Sequence, residues 1–168
     1  SWALFITKPS DLGYSDEGYV LPPLEIRYHE VSVNHKAAGT ERDGQGKLFR
    51  DAAAGLTQAA REKRESIDSR IAKMVEIIKE DPDDHFLLWH DLEAERRAIN
   101  KALPDAVDIY GSQDLEVREK RVIDFSEGRI KYFATKKELS GSGCNFQRHC
   151  HRAIFVGIDY QFNDFIQA

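Results

Sequence analysis

The sequence predicts an α/β protein, an open parallel sheet with helices on both faces, and three observations carry that reading. After Pro82 short apolar runs alternate with helical stretches. Those stretches end at residues that stop a helix, Pro104 for one and Gly128 for the next. The helices are long enough to serve as βαβ crossovers, which join parallel strands. At 168 residues the chain is one domain of ordinary size with room for a real core.

The elements follow in order. Residues 1–23 hold three prolines and two glycines and read as an irregular arm. "LEIRYHEVSV" sets Leu24, Ile26 and Tyr28 at period two, with Val31 and Val33 after a change of face, which predicts a strand with a bulge. Residues 34–47 are polar and glycine-bearing, a loop. From about Leu48 to Lys79 the spacing turns helical, with Ile67, Ile71, Met74, Val75 and Ile78 three and four apart, until "EDPDD" ends it. Strands are then expected near 86–90, 107–110, 130–134 and 153–157. Helices are expected within "DLEAERRAINKAL" and "SQDLEVREKRVIDFSEG", the second capped by Ser112 or Asp114. "FNDFIQA" begins a further helix. Right-handed crossovers put the loops at 111–113 and 135–146 on one edge of the sheet.

Apolar residues make up 41% of the chain and charged residues 32%, as in a soluble, ordered protein. No run approaches the roughly 18 apolar residues of a membrane span, so no membrane partner is expected. Two cysteines make no disulfide framework and suggest a reducing, cytoplasmic setting. The net charge of −5 argues against a wholly basic nucleic-acid binder. Residues 129–152, however, hold six of the 24 Lys and Arg and one of the 29 Asp and Glu. Such a run is either a solvated face or a place for phosphate.

Inside that stretch lies "ATKKELSGSGCNFQ", a strand running into a polar loop with Gly141 and Gly143 two apart. Loops at strand ends are where open α/β sheets bind ligands, and glycine suits close backbone approach; a plain turn is the alternative. "GQGK" at 44–47 is no phosphate-binding P-loop, because Glu41 occupies the first glycine's place and Leu48 follows Lys47 where Ser or Thr is needed. Cys144, His149, Cys150 and His151 lack the paired arms of a zinc site, so no metal is expected. The carboxylates of "DLEAER" read as a solvated helix face. Trp89 and His90 end a strand and could reach a crevice, although core is the better reading for Trp89.

Taken in order, "LLWH", "DIYGSQDLEVREKRVIDF", Thr135 with Gly141, Gly143 and Asn145, and "AIFVGIDYQFNDFIQ" form a series. It resembles the second RecA-like lobe of superfamily-two helicases and translocases, in particular the chromatin-remodeller-like branch that includes phage ATPases. That family has a "dGs…eR…idrF" segment, a fifth motif of Ser/Thr followed by Gly-x-Gly-x-Asn, and a sixth that opens with Gln, here Gln167. The resemblance covers about residues 84–168. "LPPLEIRYHEVSV" also looks like the strand that opens such lobes, which would extend the lobe over 24–168 with a helical insertion at about 48–80. Gly157 and Cys144 depart from the pattern, where relatives often carry an acid and an aliphatic residue.

The resemblance implies a C-terminal lobe of an ATP-dependent DNA or RNA helicase or translocase. It would close on ATP and Mg2+ held by an N-terminal helicase lobe of the same polypeptide. It implies that Gly141, Gly143, Asn145 and Gln167 face the nucleotide or the lobe interface. Gly111, Ser112, Thr135, Lys136 and Lys137 would lie on the nucleic-acid backbone. For Gly111 and Ser112 a turn and capping role stands equally. The 168 residues carry no P-loop and no sixth-motif arginines, so they are expected to be inactive alone. The alternative from another class is a non-catalytic nucleic-acid- or protein-binding module built on the same lobe.

Overall fold

The computed structural model describes residues 9–15, 23–31, 62–140 and 144–158. Four strands, β1 (Phe86–Trp89), β2 (Val107–Asp108), β3 (Tyr132–Thr135) and β4 (Arg152–Phe155), make one sheet in the order β2-β3-β1-β4. Every pairing is parallel, with Phe86 opposite Tyr132 and Arg152, and Val107 opposite Phe133. The expected α/β parallel sheet is therefore present, and parallel strands carry all four C-terminal ends to one edge.

The helices are α1 (Ile67–Glu80), α2 (Glu93–Ala102), α3 (Leu115–Ser126) and a single turn, α4 (Lys137–Ser140). In α1 the three-and-four spacing buries Ile67, Ile71, Met74 and Ile78. They pack with Phe86 and Leu88 of β1, Ile99 of α2 and Ala134 of β3. The alternate residues of β1, Leu87 and Trp89, face the other way into a second core with Phe125, Phe133, Phe146 and Cys150. The chain moves one way across the sheet from β1 to β2 and back from β2 to β3. Right-handed crossovers then place α2 and α3 on opposite faces. The connection from β3 to β4 runs the same way as that from β2 to β3, and its Phe146 and Cys150 accordingly share the face of α3.

The helix ends follow their local chemistry. Asp114 caps α3, its carboxylate accepting the Glu116 amide at 3.0 Å. At the other end Gly128 has φ +75°, and the amides of Gly128 and Arg129 donate to the carbonyls of Phe125 and Asp124. That is a Schellman closure, which suits glycine.

Two expectations are corrected. Residues 23–31 form no strand, and Leu24, Ile26 and Tyr28 are 85%, 53% and 86% exposed. Period-two spacing makes a strand only where another strand supplies hydrogen bonds and a core receives the apolar face, and no described residues do so. The chain also does not leave β3 directly into a loop, because α4 intervenes. The start of the long helix at 48–61 and the helix expected within 162–168 lie outside the described residues, as do Val33 and the loop at 34–47. Among the described residues no helix is long and apolar enough to cross a membrane.

Candidate nucleic-acid and nucleotide interface

The C-terminal edge of the sheet is knit beyond the strands themselves. The His90 amide donates to Thr135 O at 3.1 Å, Ile109 to Ala134 O at 3.1 Å, and Val156 and Gly157 to Trp89 O at 2.9 and 3.2 Å. The edge thus presents His90, the turn after β2, Lys136 and the turn after β4 side by side.

Gly111 and Ser112 are the exposed centre of a turn closed by Gln113 N on Tyr110 O at 3.1 Å. Both neighbouring helices brace that turn. Asp108 at the end of β2 accepts Arg96 and the Asn100 amide group, the latter at 2.7 Å, and its carbonyl accepts Arg121 at 2.6 Å. The Arg96 guanidinium also lies 4.3 Å from the centre of the Tyr110 ring. A braced, exposed turn with free space above Gly111 suits contact with a backbone phosphate.

Thr135 is fully buried, and its hydroxyl accepts Ser140 Oγ at 2.8 Å and donates to Lys136 O at 3.2 Å. It holds α4 rather than facing solvent. Lys137, expected on the nucleic-acid backbone, is 6% exposed and engaged within the chain, because the turn of α4 rotates it inward. Lys136 is half-buried. Asn145 is exposed, its side-chain oxygen accepting the Gln147 amide at 3.2 Å. The adjacent Phe146 anchors it to the α3 face. Gly141, Gly143 and Gln167 lie outside the described residues.

The basic stretch 129–152 is not one patch. Strands β3 and β4 run parallel, so the two ends of the stretch lie at the N-terminal edge of the sheet and its middle, with Lys136, at the C-terminal edge. Arg129 precedes β3 and pairs with Asp124 at 2.6 Å, and Arg152 opens β4 and pairs with Asp81 and Asp84 at 2.5 and 2.7 Å. Lys136 remains as the cation of this stretch at the C-terminal edge with no ion pair among the described residues.

Three features escaped the sequence. Glu95, expected on a solvated face, is fully buried: one oxygen accepts the Asp91 and Leu92 amides, each at 2.8 Å, and the other accepts Arg70 at 2.6 Å. Gly157 leaves room for that carboxylate, since a Cβ there would stand 2.0 Å from Glu95 Oε2. His90 is 1% exposed, and neither ring nitrogen has a hydrogen-bond partner among the described residues. Burial, with the Lys136 charge second, pushes its imidazole down to about 4 from 6.5. Trp89 is core as expected, stacked 6.2 Å from Phe155.

A pH dependence follows from His90. Unfolded, its ring takes a proton near pH 6.5; folded, it resists until about pH 4. The unfolded state binds more protons between those values, so stability present at neutral pH is lost as pH falls through that window. The loss should be about 2–3 kcal/mol. Denaturation midpoints measured from pH 7 to pH 4 should fall less steeply in His90→Phe than in the unsubstituted chain.

No family model matches the chain, and no curated protein does. Among solved structures, the one described as the C-terminal part of the Fun30 ATPase domain superposes with a TM-score of 0.52. The two are 17% identical, over 59% of this chain and 34% of that one. The chain therefore spans about a third of the matched structure. At this identity the likeness shows the fold alone, an α/β lobe of the RecA-like kind.

Proposed function

We propose that the chain is the second RecA-like lobe of an ATP-driven DNA or RNA translocase or helicase. One observation carries the reading: the "IYGS" turn and the Thr135–Lys136 strand end, from separate motifs, lie beside each other on one edge of a parallel sheet. The likeness to part of an ATPase domain supports it. No set of described residues makes a cradle for β and γ phosphates, so ATP and Mg2+ would be held by another lobe of the same polypeptide. This lobe would close on the nucleotide with the loop bearing Gly141, Gly143 and Asn145, and with Gln167. Phosphoryl transfer is mostly positioning and electrostatic stabilisation, which two closing lobes can supply.

On the nucleic-acid side, Gly111 and Ser112 would offer backbone N–H and hydroxyl groups to phosphate, and Lys136 would add sequence-independent attraction. Thr135 would act by holding α4 and the loop beyond it. Lys136→Ala in the two-lobed polypeptide should weaken nucleic-acid binding and reduce the log–log salt slope by about one unit. Lys137→Ala should leave the slope unchanged, since that side chain is already buried. Titration across salt checks both. An unchanged slope for Lys136→Ala would remove this lysine from the interface.

A further inference from the structure

Residues 63–70 lie against the turn that follows β4. The Arg70 guanidinium donates to Glu95 Oε1 at 2.6 Å, to Ser66 Oγ at 3.1 Å, to Lys63 O at 2.5 Å and to the carbonyl of Val156. Lys63 donates to Ile158 O at 2.7 Å and pairs with the Asp91 carboxylate. Cations from this helical segment thus hold both carbonyls that flank Gly157. Gly157 itself is fitted against Glu95, with no space for a Cβ. The four charges balance, and their side chains are 19%, 0%, 20% and 26% exposed for Arg70, Glu95, Lys63 and Asp91.

A strand end needs no such apparatus. The amides of Val156 and Gly157 already close on Trp89 O, and apolar contacts would fasten a helix with less desolvation. What the charged arrangement adds is direction: a planar fork fixes a carbonyl in angle as well as distance. We propose that Arg70 and Lys63 form a clasp that sets the course of the chain as it leaves the sheet edge after β4. Arg70 is then a positioning residue for that edge. The functional half of this proposal rests on the reading of the edge as the closing face of an ATPase lobe.

The test has two arms. In the 168-residue chain, hydrogen exchange followed by mass spectrometry should show Arg70→Gln raising exchange at Val156 and Gly157 about tenfold or more. Exchange at Phe133–Thr135 should change little. Arg70→Lys keeps a charge beside Glu95 but not the fork, so it should restore overall stability while exchange at 156–157 stays raised. Lys63→Met, which leaves the Arg70–Glu95 pair in place, should give the same local rise and serves if Arg70→Gln does not fold. Unchanged exchange at 156–157, or a rise shared equally by the whole sheet, overturns the clasp.

In the two-lobed polypeptide, Arg70→Lys should lower kcat for nucleic-acid-stimulated ATP hydrolysis about tenfold, with KM for ATP within twofold. An unchanged kcat overturns the positioning role. If exchange responds locally while the unsubstituted two-lobed polypeptide turns over no ATP, the clasp stands and the ATPase reading fails.

Discussion

Glu95→Ala is expected to destabilise the chain by about 3–5 kcal/mol, among the largest losses any single substitution here should give. The carboxylate is fully buried, and removing it orphans the Asp91 and Leu92 amides and takes the counter-charge from Arg70. The amides are those of Leu92, the N-cap of α2, and of Asp91 before it, and they need an acceptor from further along the chain. Glu95 supplies that function from the third helical position, the glutamate half of a capping box. Arg70 would be left with an uncompensated charge at a site where its side chain is 19% exposed. Removing both partners costs less than removing one, so Arg70→Met combined with Glu95→Leu should recover part of the loss. Urea midpoints for the two single variants and the double check this. Losses that simply add would mean that the pair is not coupled.

Phe125→Ala should cost about 3–5 kcal/mol for a different reason, the cavity left under α3. Its ring is fully buried, 4.9 Å from Phe133 in a stacked pair and 5.0 Å from Phe146 in an edge contact. Phe133 and Phe146 meet at 6.0 Å, closing a three-ring cluster. The cluster joins α3, β3 and the segment after the glycine loop, so its loss should also loosen Asn145. Thermal unfolding reports the first effect. Exchange at residues 144–150 that rises more than at β1 reports the second.

Much of this fold was legible because its signals are local. The spacing of Ile67, Ile71, Met74 and Ile78 places the buried face of α1, and Asp114 and Gly128 mark the ends of α3. Alternation of strand and helix implies parallel pairing and a shared edge for strand ends. What was not legible depends on distant partners. Glu95 stands among charged neighbours, and its burial is decided by Arg70 and Gly157, one from α1 and the other beyond β4. The one local clue was its place three residues after the N-cap, obscured because that cap is a leucine. Leu24, Ile26 and Tyr28 show a strand's period without a strand to pair with among the described residues. Lys137 looked like its neighbour Lys136 until one turn of helix separated them. Of the residues expected at the site, local signals give the exposure of Gly111, Ser112, Lys136 and Asn145, which are exposed or half-buried, but not the inward turn of Thr135 and Lys137.

The most direct test of the central claim is phosphate release from ATP, measured for the purified 168 residues beside the polypeptide that joins them to a P-loop-bearing lobe. Both are assayed with and without DNA or RNA. The chain alone should release nothing above background. It offers no cradle for the phosphates among its described residues and no sixth-motif arginine, and an arginine at the transition state is alone worth about 10³–10⁵ in rate. The joined polypeptide should turn over ATP, faster with nucleic acid, and Asn145→Ala within it should depress that rate. Steady turnover by the isolated 168 residues, abolished by a substitution within them, would show that they are a complete enzyme rather than one lobe of a motor.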